Sequence, residues 1–247
     1  MRRLLLLPLI ILLGCTPKGV KDYKAVVVNE YPHDTTSYTQ GLFFDGDTFF
    51  ETTGQWGEST IRKVDLQTGS ALSRVDFPQE YFLEGSVTVD GVLYVLTWTN
   101  KLVLKYDAET LKPIGAMKYP REGWGLTTDG KRFYATDGSS RIYVMDSDFK
   151  ASKTLRVTLD GKPVRYLNEL EWIDGRIWAN VYTSDTIVII NPRSGEVEAR
   201  VDCSGLYPRK ERSPHADVLN GIAVSPDGRI FVTGKYWPKL YEIIIKE

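Results

Sequence analysis

Short β-rich runs separated by turn residues organise the chain from Ala25 onward. Phe49-Phe50, Val92-Leu93-Tyr94-Val95, Phe133-Tyr134-Ala135, Ile177-Trp178-Ala179 and Ile230-Phe231-Val232 each follow an Asp-Gly pair. The pairs are Asp45-Gly46, Asp90-Gly91, Asp129-Gly130, Asp174-Gly175 and Asp227-Gly228, and an apolar run precedes each one. Aspartate and glycine accept the positive φ angles of a tight turn, so each pair predicts a hairpin. A third run follows in every copy: 61–65, 102–107, 142–146, 187–191 and 240–244. Several of these alternate as half-buried strands do. Turns such as Gln67-Thr68-Gly69 and Arg193-Ser194-Gly195 then lead into a fourth strand, for example 196–201. Four antiparallel strands recurring roughly every forty to fifty residues make a propeller blade. The pattern predicts an all-β, five-bladed β-propeller and no amphipathic helix of useful length.

The ends of the chain fit that count. The fifth copy stops after its third strand, while Ala25-Val26-Val27-Val28 is a β-rich run with no blade of its own. This N-terminal strand is expected to complete the last blade and remove an exposed edge. The residues before it read differently. Arg2 and Arg3 precede an apolar run from Leu4 to Leu13, too short for a mature bilayer span. Leu12-Leu13-Gly14-Cys15 resembles a bacterial lipobox, which implies cleavage before Cys15 and acyl chains on its thiol and amine. Stable anchoring takes more than one chain. The expected organisation is a signal segment over 1–15, a tether over 16–23 and one propeller domain over 24–247. Thr16 rather than aspartate after the cysteine points to the outer membrane, on the periplasmic side of the envelope.

Composition narrows the partners. Lys and Arg number 31 against 32 Asp and Glu, and they are scattered. Neither nucleic acid nor a polybasic membrane patch is indicated. With Cys15 lipidated, Cys203 has no partner and is expected to be buried. Two histidines without a cysteine cluster argue against a His-rich zinc site.

Propeller topology brings the start of each first strand and the end of each second strand to one face. The starts carry Gln40, Glu84, Trp124, Asn168 and Asn220; the ends carry Trp56, Trp98, Asp137, Tyr182 and Lys235. The opposite face receives mostly Asp-Gly and Thr-Gly turns, so the first face is the candidate binding face. Each residue taken alone has a plainer reading. A tryptophan packs between blades, Asn168 satisfies a strand-end carbonyl, Lys235 is a solvated rim charge, and Asp137 is a turn residue. Trp56 lies in a Gly-rich loop, as a lid or simply exposed. Glu84 differs because Tyr81-Phe82-Leu83 and Gly85 surround its carboxyl with apolar neighbours. Such a group is a candidate acid/base with a raised pKa. Glu169 and Glu171 share the side opposite Leu170 and are placed outside the site.

The ordered motifs resemble the plant-type and bacterial glutaminyl-peptide cyclotransferases. They are Tyr38-Thr39-Gln40-Gly41-Leu42, Phe82-Leu83-Glu84-Gly85, Leu96-Thr97-Trp98, Gly123-Trp124-Gly125-Leu126, Leu167-Asn168-Glu169-Leu170-Glu171-Trp172, Ile177 through Tyr182, and Leu219-Asn220-Gly221-Ile222-Ala223. They run from about Tyr31 to Tyr241. The resemblance implies a five-bladed propeller that converts an N-terminal glutaminyl residue of a peptide or protein to pyroglutamyl and releases ammonia. It implies the proton-shuttle role for Glu84 and pocket roles for Gln40, Trp98, Trp124, Asn168 and Lys235, with Phe82 beside the acid. Tyr38 stands where phenylalanine is common and Tyr182 where a pocket tryptophan is often found. Both keep an aromatic wall. The family's chemistry needs no cofactor, and a structural divalent cation described in some members has no ligand set readable here.

Two rival functions remain at this stage. One is a non-catalytic, lipid-anchored propeller that binds peptide or glycan on its aromatic face, with Glu84 as a hydrogen-bond acceptor. The other is a lactonase-like hydrolase, which would need several carboxylates around an axial calcium where the strand starts supply one. A monomer is expected.

Overall fold

The computed structural model describes residues 19–247. The signal segment, Cys15 and the first tether residues lie outside the described residues. Five four-stranded sheets stand around a common axis. Their inner strands are Thr39–Asp45, Leu83–Val89, Leu126–Thr128, Leu167–Ile173 and Leu219–Val224. Each inner strand packs against the next, and the fifth returns to the first, so the ring is closed. The core lies between neighbouring sheets. Phe43, Phe50 and Ile61 of blade one, for example, pack on Leu83, Leu93, Val95 and Leu104 of blade two. The outer strands Ala71–Asp76 and Pro113–Lys118 are largely exposed.

All five Asp-Gly pairs turn the chain, but only two of them take positive φ at both residues; at Asp45-Gly46, Asp129-Gly130 and Asp227-Gly228 the glycine alone does. Asp90 and Gly91 take φ angles of 51° and 75°, and Asp174 and Gly175 take 47° and 73°, the primed-turn geometry that matches strand twist. A sixth pair, Asp160-Gly161, adopts the same geometry at 49° and 75°. It closes a small hairpin, Thr158–Leu159 with Lys162–Pro163, inserted between blades three and four. The only helical element among the described residues is the single turn Arg209–Glu211.

The N-terminal strand, Lys21–Pro32, completes the last blade as expected, but it begins at Lys21, so residues 21–23, expected as tether, are strand because they pair with blade four. Lys24 to Pro32 runs antiparallel to Lys239–Lys246 and forms the fourth strand of blade five. Lys21 to Lys24 also pairs in parallel with Ala199 to Asp202 of blade four. One strand therefore joins blades four and five into a continuous eight-stranded sheet and covers two edges that would otherwise invite pairing with other chains.

A buried polar latch follows this strand. His33 Nδ1 lies 2.7 Å from the Trp237 carbonyl of blade five, and Nε2 lies 3.0 Å from Oε1 of Glu51 in blade one. Ser37 and Thr39 also donate to Glu51, while Arg62 donates to Asp34 and Ser37. His33 and Arg62 thus meet the carboxylates of Glu51 and Asp34 at the seam between the last blade and the first.

Candidate active site

At one mouth of the ring, four inner strands lose register with their neighbours at the same level. The irregularities fall between Thr39 and Gly41, Leu83 and Ser86, Leu167 and Leu170, and Leu219 and Ile222. The residues inside them include Gln40, Glu84, Asn168 and Asn220. A β-bulge re-aims a side chain, and here it turns four polar groups into the ring. Glycine makes the bulges compatible with tight closure. A Cβ on Gly85 would stand 2.5 Å from the Leu126 amide nitrogen and 2.7 Å from the Trp124 carbonyl oxygen. On Gly125 it would lie 2.1 Å from the Asn168 carbonyl oxygen, so neighbouring blades touch backbone to backbone.

Glu84 is 3% exposed, and its Oε2 has no hydrogen-bond partner among the described residues. Burial pushes its carboxyl well above the usual carboxylate range; the positive charge of Lys235 opposes this and the negative charge of Glu122 adds to it. Lys235 is 1% exposed. Burial pulls its ammonium down to about 7, against the attraction of Glu84, Asp217 and Glu169. Its Nζ donates to Gln40 Oε1 and stands 3.9 Å from the centroid of the Tyr38 ring. Gln40 Oε1 also accepts from Asn220 Nδ2 at 3.3 Å. Asn168 Oδ1 and Asn220 Oδ1 are buried without partners among the described residues. Unpartnered buried polar atoms are uncommon in folded proteins, and several at one mouth mark a place built to meet other polar groups.

Aromatic rings wall this floor. Phe82 lies 5.4 Å from Trp98, 5.6 Å from Trp56 and 6.0 Å from Tyr38, centroid to centroid. Trp124 meets Tyr182 edge-on at 5.7 Å. Tyr38 continues to Tyr236 at 5.3 Å, and Tyr236 stacks on His215 at 4.2 Å. The structure therefore brings Tyr38, Gln40, Phe82, Glu84, Trp98, Trp124, Asn168, Tyr182 and Lys235 to one end of the axis. Trp56 joins the wall, half exposed. Asp137 is a turn residue: it accepts from the Ser139 amide and the Tyr143 hydroxyl.

Some participants escaped the sequence pattern. Glu122 and Asp217 are further carboxylates at this mouth, and His215 and Tyr236 extend its rim. Glu169 and Glu171 are buried against the inner strands, where Glu169 accepts from the Ile222 amide and Glu171 from the Val224 amide and the Thr127 hydroxyl. Burial raises both, with Glu171 pushed up to about 8. They stitch blade four to its neighbours across the axis. Among the described residues no three His, Cys, Asp or Glu side chains come together.

Fold and site together define a propeller that shelters a carboxylic acid and a lysine inside an aromatic cup at one end of its axis. The family model for glutamine cyclotransferase matches residues 7–245. Glutaminyl-peptide cyclotransferase of Arabidopsis thaliana is 43% identical over 227 residues, covering 90% of this chain and 71% of that protein. The crystal structure of Myxococcus xanthus glutaminyl cyclase superposes with a TM-score of 0.86 at 34% identity, covering 92% of this chain and 98% of the other. The chain belongs to the glutamine cyclotransferase family.

Proposed function

We propose that this protein is a glutaminyl-peptide cyclotransferase that converts N-terminal glutaminyl residues of peptides and proteins to pyroglutamyl and releases ammonia. Membership of the family, the 43% identity to the Arabidopsis enzyme and the structural match to the Myxococcus cyclase support the activity. The observation that carries the mechanism is the buried Glu84 carboxyl, with an unpartnered oxygen, inside a ring of aromatic side chains.

The reaction joins the α-amine nitrogen to the Cδ of the same residue's side-chain amide. A C–N bond forms, a five-membered ring closes, and the original C–N bond of the amide breaks. Nucleophile and electrophile are already tethered, so the protein's work is to fix the folded conformer and move protons. Glu84 accepts a proton from the attacking amine and returns one to the departing amide nitrogen, which leaves as ammonia. The proton balance is zero, and a carboxyl raised well above the usual carboxylate range serves both directions. Lys235 and the amide groups of Gln40 and Asn168 stabilise the oxygen of the tetrahedral intermediate. Trp98, Trp124, Tyr182, Tyr38 and Phe82 grip the short side chain and exclude water. This chemistry uses no metal. The reading also places the enzyme as a monomer on the periplasmic side of a bacterial envelope, held to the outer membrane through lipid on Cys15.

The test is ammonia release from a Gln-initiated dipeptide amide by purified protein with chelator present. Turnover is expected. Binding without turnover would favour a non-catalytic platform, and turnover lost on chelation would require a metal mechanism.

A further inference from the structure

The two indole walls of the cup share one acceptor. Trp98 Nε1 donates to Oε2 of Glu122 at 3.0 Å, and Trp124 Nε1 approaches the same oxygen at 3.4 Å. Trp98 belongs to the group formed with Phe82 and Trp56, while Trp124 belongs to the group formed with Tyr182. Glu122 thus ties the two aromatic groups together across the opening above Glu84. It is exposed, and Oε1 has no hydrogen-bond partner among the described residues. Its neighbour Arg121 is turned aside, with its guanidinium 3.9 Å from the Tyr143 ring centroid and 5.7 Å from that of Tyr119.

We propose that Glu122 is a positioning residue of the cyclisation site: it clamps Trp98 and Trp124 in one arrangement and sets a negative charge beside Glu84. This rests on the reading of the cup as the glutamine-cyclising site. The two parts of the role act on different quantities. The clamp fixes the walls that hold the glutaminyl side chain and governs KM. The charge makes Glu84 harder to ionise and governs pH dependence. The titratable groups within electrostatic reach of Glu84 are Lys235 from blade five, Glu122 from the connection between blades two and three and the Tyr38 hydroxyl from blade one; Asp217 and Glu169 act on Lys235.

Glu122→Gln and Glu122→Ala separate these parts. Glutamine keeps an oxygen for both indole N–H groups and removes the charge; alanine removes both. With a Gln-initiated dipeptide amide, Glu122→Ala is expected to raise KM about tenfold with a smaller change in kcat, and Glu122→Gln to bring KM within about threefold of the wild type. Loss of the negative charge favours the ionised form of Glu84, so both variants should move the acidic limb of kcat/KM to lower pH. An unchanged KM in Glu122→Ala, no rescue by glutamine, or an unmoved limb would overturn the proposal. Tryptophan near-UV circular dichroism follows the clamp without turnover: alanine should alter the indole bands and glutamine preserve them, and identical spectra for all three proteins would also overturn it. An inactive wild type would count instead against the cyclase reading, with the spectra still deciding the clamp.

Discussion

Lys235 donates a hydrogen bond from Nζ to Oε1 of Gln40 across the seam where the last blade meets the first. The two residues are neighbours only when the ring is shut, so the floor of the cup depends on the N-terminal strand that completes blade five.

Replacing Lys235 by methionine keeps the apolar stem and removes the cation facing the cup. The expected loss in kcat/KM is about 10²-fold where the lysine is charged, as for removal of a buried electrostatic stabiliser. Because burial lowers Lys235 to about 7, the gap between variant and wild type should be widest below that pH and narrow above it. A steady-state pH profile of both proteins checks this.

The latch at the seam makes stability sensitive to alkali. Both nitrogens of His33 face acceptors, the Trp237 carbonyl and the Glu51 carboxylate, an arrangement that favours the imidazolium. Burial works against the charge, but Glu51 outweighs it and raises His33 above 6.5. The stabilisation is complete below that value and disappears as pH climbs through the raised one. His33→Gln should cost about 3 kcal/mol near neutrality, the scale for breaking a buried pair, with the deficit shrinking at alkaline pH. Denaturant titrations of both proteins at several pH values measure it.

Glu84 adds a pH dependence of the same sign by a different route, the burial of a carboxyl. Its folded-state carboxyl titrates well above the ordinary 4.5, so the contribution of its neutral form is fully present below 4.5 and is lost as pH rises through the raised value. Glu84→Gln keeps the shape without a buried charge. It should gain about 1 kcal/mol over the wild type at alkaline pH and little in mild acid, a difference readable as Tm against pH.

Gly85→Ala tests the bulge itself. The added methyl would meet the Leu126 amide and the Trp124 carbonyl, which are backbone and cannot swing aside. A cost of about 1–3 kcal/mol is expected, together with a fall in kcat from displacement of Glu84. Calorimetry and kinetics on the same preparation read both.

The fold was legible because Asp-Gly turns and β-rich runs recur in the same order in each of five copies, and each turn's chemistry is local. The same arithmetic put Glu84, Asn168 and Lys235 at one mouth, since strand starts and ends lie at fixed offsets from those turns. What it missed depends on contacts between blades. The parallel pairing of Lys21 to Lys24 with blade four is a tertiary choice that no run announces. Alternation sends Glu169 and Glu171 to one side of the strand but does not show what holds them there: Glu169 accepts from the Ile222 amide and Glu171 from the Val224 amide and the Thr127 hydroxyl, all on other blades. Glu122 precedes Gly-Trp-Gly in a connection and looks like a solvated loop acid; its meaning comes from two indoles that reach it from different blades. The buried Cys203 was readable because a lone thiol in a β-rich core behaves as a small apolar group.

In the proposed reaction one shielded carboxyl, Glu84, carries the proton between amine and leaving group. The most direct measurement of this role is kcat for a Gln-initiated dipeptide amide with wild-type protein and Glu84→Gln, alongside substrate affinity for each. The account predicts a fall in kcat of about 10²–10⁴-fold with affinity within a few-fold. A variant that turns over within tenfold of the wild type would contradict it.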